Sequence, residues 1–224
     1  MLAGLASIRG SPTVVSRWLP LSGIVFVVLM LIAIIAVSGD TPGSDAPGSE
    51  VASFYGDEEV QQGIAAFLLA ATVPFLVIFA ATLANFAWPA EDAARTVWRS
   101  VLLGGSFILG ASIMVMALVH FALADGADQG ISPAGLQALN VLDGNFWVAA
   151  NAALGVMMLG AGGWLLGRTG IYNGLGWAAL IFGIALFIPF ADFIALLLSL
   201  VWIVLTSFML YRTVGPSSQG AAQI

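Results

Sequence analysis

The sequence predicts an all-α polytopic membrane protein, six transmembrane helices with short amphipathic helices outside them. Three observations predict it. The chain is 60% hydrophobic and only 8% charged, against about 25% charged in soluble domains, and its mean hydropathy is +1.03. Apolar runs recur at about 18–38, 61–88, 99–124, 145–167, 174–190 and 192–212, and a hydrocarbon core of about 30 Å needs about 20 helical residues. All six basic residues are arginines, and all fall on one side of that six-span arrangement.

The arginines set the orientation. Arg9 and Arg17 precede the first span, Arg95 and Arg99 lie between the second and third, Arg168 follows the fourth and Arg212 the sixth. Their side is cytoplasmic by the positive-inside rule. Residues 1–17 and 213–224 are then cytoplasmic tails around a single transmembrane domain, 18–212. Ten of the twelve acids face outward, leaving only Glu91 and Asp92 inside.

Each element has a local reason. Pro20 opens the first span in its first turn, where proline is tolerated. "AVS" at 36–38 resembles a signal-peptide cleavage site, but the apolar run before it is longer than the usual 7–15 residues. Cleavage there would leave five spans. Residues 38–49 are rich in Gly, Pro, Ser and Asp and read as irregular chain. Val51, Phe54 and Tyr55 then recur at helical spacing, an apolar edge for the membrane surface or for capping the bundle. Pro74 lies inside the second span and frees the carbonyl of Ala70; Pro89 stops that span. Ser132 followed by Pro133 is a helix start, a capping hydroxyl and then a proline. A short outer helix over about 133–142 follows, bending near Gly144 or running straight into span four. The fifth span is marginal, because the 16 residues from Gly174 to about Pro189 rise only about 24 Å.

Composition excludes several activities. There is no cysteine, hence no disulfide and no thiolate metal site. There is no lysine for a Schiff base, and a single histidine rules out bis-histidine haem within one chain. The net charge of −6 argues against nucleic acid and against docking on anionic lipid. No cofactor and no resident metal are expected. The bilayer is the expected partner, with a protein partner or a homo-oligomer left open.

Four stretches carry a family resemblance: "RWLPLSG", "GDTPGSDAPGSEVASFY", "LADGADQGISPAGLQALNVLDGNFWV" and "LGWAALIFGIALFIP…DFIALLLSLVWIVLTSFMLYR". Together they resemble uncharacterised multi-span membrane proteins of actinobacteria. The resemblance implies a bacterial plasma-membrane protein of about six helices and implies no reaction.

Candidate site residues lie near the outer face. Ser106, Gly110, Ala117 and His120 share one face of span three. Gln137, Asn140, Gly144, Trp147 and Asn151 follow one another at steps of three or four, with Asp143 beside them. Asp192 lies between spans five and six, and the topology places it, His120, Asp143 and the Glu58/Glu59 pair at similar depth. The candidate outer polar cluster is therefore His120, Asn140, Asp143, Trp147, Asn151 and Asp192. A histidine and carboxylates converging there suit a divalent metal, a cationic ligand or a proton relay. Plainer readings stand beside these. Asp192 can cap span six, and Asn140 and Asn151 can bond between helices for about 0.6–2 kcal/mol. Asp143 can mark a water-exposed junction, and His120 can pack at an interface. Gly163 and Gly167 form a G-x-x-x-G close-packing pair. Trp18, Trp88, Trp98, Trp147, Trp164 and Trp177 fall near span ends as an aromatic belt.

No span centre carries an ionisable residue, whereas transport pathways usually need some. The reading adopted is thus a non-enzymatic structural, interaction or sensing protein. A small transporter or ligand-binding protein, with its site between spans three and four, is the alternative. A membrane-embedded metalloenzyme or hydrolase using His120 with Asp143 or Asp192 is a third.

Overall fold

The computed structural model describes residues 18–37, 41–86 and 93–213. Every regular element among them is helical. A 3₁₀ turn at Leu19–Leu21, holding Pro20, leads into α1 (Ser22–Leu31), which runs on as a π-helix over Ile32–Val37. Then come α2 (Gly48–Asp57), α3 (Glu59–Asn85), α4 (Ala93–Asp128) and α5 (Pro133–Asn145). The chain ends with α6 (Trp147–Leu165), α7 (Ile171–Ala185) and α8 (Asp192–Thr213). Four helical stretches are long and apolar enough to cross a membrane: Glu59–Asn85, Arg95–Asp128, Pro133–Leu165 and Asp192–Thr213. Leu19–Ile35 and Ile171–Ala185 are apolar but shorter.

Local chemistry set the boundaries much as expected. Ser132 Oγ accepts the Gly135 N–H at 3.4 Å, capping α5 with Pro133 in its first turn. The break between α5 and α6 is a single residue, Phe146, and not Gly144. Phe146 keeps right-handed helical dihedrals, so α5 and α6 form one nearly continuous rod. α3 stays helical through Pro74; the stop expected at Pro89 lies outside the described residues. α7 spans Ile171–Ala185 rather than 174–190, beginning and ending earlier than its apolar run.

The helices α1, α3, α4, α6, α7 and α8 form a ring in which each packs on the next, in that order and back to α1. Trp18 stacks against Tyr211 with ring centroids 5.7 Å apart, where the ring closes. The centre is filled by Leu76, Phe79 and Leu83 of α3, Met157 and Trp164 of α6, and Trp202 and Ile203 of α8. Two buried indoles tie helices together by reaching backbone carbonyls. Trp164 Nε1 donates to Leu83 O at 3.1 Å, and Trp202 Nε1 donates to Leu175 O at 2.8 Å. Trp164 is thus a core residue rather than part of an interfacial belt. Its face also carries the Arg168 guanidinium, 5.0 Å from the ring centroid.

α6 owes its central place to glycine. A Cβ at Gly105 of α4 would lie 2.4 Å from the Met157 backbone nitrogen, and one at Gly160 of α6 would lie 2.2 Å from that of Leu102. The two backbones therefore touch, as small residues allow. On its other side α6 meets α7 through Gly162 and Gly176, each within 3.2 Å of the other's carbonyl by the same measure. The expected Gly163/Gly167 pair does other work. Gly163 lies under the Trp98 ring, and Gly167 (φ +73°) ends the helix.

The crossing makes a paired prediction. Gly160→Ala should destabilise the fold by about 1–3 kcal/mol through overpacking. Gly104→Ala meets nothing within 4 Å and should stabilise by up to about 1 kcal/mol through helix propensity. Thermal unfolding in detergent, followed by circular dichroism, checks both; equal shifts would contradict the crossing.

Candidate functional site

At one end of the ring, α4 runs past its neighbours. Its 36 residues rise about 54 Å, and its last turns join α2 and α5 in a separate small core of Val51, Tyr55, Leu123, Ala124 and Leu136. The apolar edge of α2 thus caps the bundle. The strap before α2 is fastened by α5. Asn140 Nδ2 donates to the carbonyls of Pro42 (3.3 Å) and Gly43 (2.8 Å), and Gln137 Nε2 donates to that of Ala46 (3.2 Å).

His120 is the joint of this cap. It is 4% exposed, on the inward face of α4 with Ser106, Gly110 and Ala117. Nε2 lies 2.8 Å from Gln62 Oε1 of α3, and Nδ1 lies 3.3 Å from Asp143 Oδ2 of α5. The Tyr55 ring of α2 meets the imidazole edge-on, with centroids 5.8 Å apart. One side chain of α4 therefore touches the three other helices that build the cap. As placed, both ring nitrogens face acceptors. An imidazolium donates to both. A neutral imidazole donates to one, and a half-turn of the Gln62 amide supplies a donor for the other.

Two polar atoms beside this joint are buried without a hydrogen-bond partner, Tyr55 Oη and Asp143 Oδ1. Burial first, and then the Asp143 carboxylate, push the Tyr55 phenol well above its usual pKa of 10.0.

The six sequence candidates divide into separate groups. His120 and Asp143 are together. Asn140 serves the strap. Trp147 is 50% exposed, so it turns outward and does not line an inward edge with Asn140 and Asn151. Asn151 Nδ2 donates to Asp192 Oδ2 at 3.3 Å. Asp192, the first residue of α8, thus lies level with Asn151, eight residues along the α5–α6 rod from Asp143. That is about 12 Å along the axis, so the expected common depth of Asp192 and His120 does not hold. Glu58 and Glu59 line an open surface depression with Asp57 and Gln61. Among the described residues no three His, Cys, Asp or Glu side chains gather as a metal site. The sequence reading missed Gln62 as a site residue. Its signal is a seven-residue spacing with Leu69, Leu76 and Leu83, all buried on one face of α3.

Comparison of the chain with known protein families, curated proteins and solved structures finds no match.

Tyr55 gives a pH prediction. A folded-state pKa above the unfolded value stabilises fully below about pH 10 and is lost as pH climbs past it. Alkali should therefore loosen the cap, and Tyr55→Phe should remove that part of the slope. In a phenolate absorbance titration, the variant should match wild type until the cap opens. If Tyr55→Phe instead removes from the ordinary range one of the three tyrosine amplitudes that wild type shows there, this phenol is not buried.

Proposed function

We propose that this chain is an integral protein of a bacterial plasma membrane, of the actinobacterial kind it resembles. It crosses the bilayer six times with both termini in the cytoplasm. Its role is structural, interaction or sensing rather than enzymatic, and it is carried by the outer cap. The observation behind this reading is the His120 joint. The one histidine is engaged in holding α2, α3, α4 and α5 together. The cap meanwhile presents Asp45, Glu50, Asp57, Asp125 and Asp128 at its exposed surface, an acidic face suited to a cationic partner. Segregation of the arginines to the opposite ends of the spans supports the orientation.

Cysteine labelling tests the topology, because the native chain has no cysteine. A membrane-impermeant maleimide added to intact cells should label Ser44→Cys and leave Ser217→Cys untouched. The opposite pattern would overturn the orientation.

A second reading, a ligand-binding cap, is favoured by Tyr55 Oη and Asp143 Oδ1, buried and unpartnered beside His120. Such a pair suits a small cation. A ligand bound only to the folded state stabilises by about 2.7 kcal/mol at a hundredfold its Kd. Melting curves with magnesium, zinc or ammonium ions separate the readings. The non-binding reading expects the same response in wild type, His120→Ala and Asp143→Asn. Stabilisation of wild type alone would favour the cation site.

A further inference from the structure

The end of the bundle that carries the cap is not level. α5 and the end of α4 stand tall, whereas the α7–α8 hairpin is low. Gly155 of α6 packs against the Phe187 ring and the Gly183 carbonyl, and Asn151 bonds Asp192. The hairpin therefore turns over at the level of Asn151 to Gly155. Trp147, half exposed and suited to a membrane interface, lies one helical turn further out, about 6 Å. α7 has 15 residues, a rise of about 22 Å against an apolar core of about 30 Å.

The tip itself is apolar and outward-facing. Phe187, Ile188, Phe193 and Ile194 are at least half exposed, and Phe190 is 97% exposed. Phe190 also has φ +72°, a left-handed conformation that costs an aromatic residue about 1–3 kcal/mol. In water that strain would serve only to display a hydrophobic ring. The one acid of the turn, Asp192, points inward to Asn151. Between Leu186 and Asp192 the turn supplies a backbone acceptor for every N–H except that of Phe190. Leu186, Phe187, Ile188, Ala191 and Asp192 donate their N–H groups to carbonyls within the hairpin, and Pro189 has none to donate. Internal pairing of most of its N–H groups suits a backbone near lipid.

We infer that the α7–α8 hairpin tip is a lipid-binding surface, submerged in the outer leaflet with Phe190 inserted among the acyl chains. The apolar flanks of α7 and α8 continue into it through Ile184 and Leu197, both exposed. The outer face then has two halves, an acidic cap standing in water and a hydrophobic wedge below the headgroups.

This inference rests on the membrane-spanning reading, and spin labelling separates the two. Single nitroxide labels are placed at Phe190→Cys, Ile181→Cys in mid-α7 and Asp128→Cys on the cap, in liposomes of phosphatidylglycerol and phosphatidylethanolamine. Collision rates with oxygen, which concentrates in lipid, and with a water-soluble nickel chelate are then compared. The inference expects a severalfold higher oxygen-to-nickel ratio at 181 and 190 than at 128. A ratio at 190 like that at 128, with 181 still lipid-facing, overturns the wedge alone. Shielding of 190 from both reagents also overturns it, pointing to a protein neighbour. Nickel access at 181 would sink the spanning reading itself.

Discussion

Backbone contact between α4 and α6 is the constraint on which the rest of the structure stands. In an apolar solvent helices gain little from burying leucine against leucine, so close approach has to come from shape. Gly105 and Gly160 allow it on one side of α6, and Gly162 with Gly176 repeats it on the other. Three helices are thereby fixed in register by backbone contact. Two of them, α4 and the α5–α6 rod, extend past the bundle, and the cap exists because they do so side by side.

On that pair the cap is organised by a polar residue rather than a large apolar one. His120 joins Gln62, Asp143 and Tyr55, drawn from three other helices. Apolar contacts tolerate sliding, whereas a ring with two directional nitrogens fixes angle and register at once. The small core of Val51, Leu123 and Leu136 supplies adhesion, and the histidine supplies uniqueness. Pairing also suits a location where an isolated charge would be costly to keep dehydrated.

Much of this was legible in the sequence. Apolar run lengths, the Ser132–Pro133 start and the helical spacing in α2 located the elements, because those signals are local. The inward face of α4 ending at His120 was legible for the same reason. What escaped was relational. The chain has 26 glycines, and nothing local marks which of them will face another backbone. Trp164 sits near a span end like the interfacial tryptophans, and only the place of the Leu83 carbonyl across the ring makes it a core residue. Asp192 was assigned the depth of a loop. Its true level follows from the length of α7 and its offset along α6, a property of two helices packed together.

Trp18 against Tyr211 carries a topological consequence. The first and last long helices are neighbours, so the polypeptide describes a closed circuit around its core and the place where it starts is geometrically arbitrary. Such a ring has no terminal helix in the sense that a row has. Among the described residues each helix of the ring is held by two flanking partners, and the joint between α1 and α8 completes the circle.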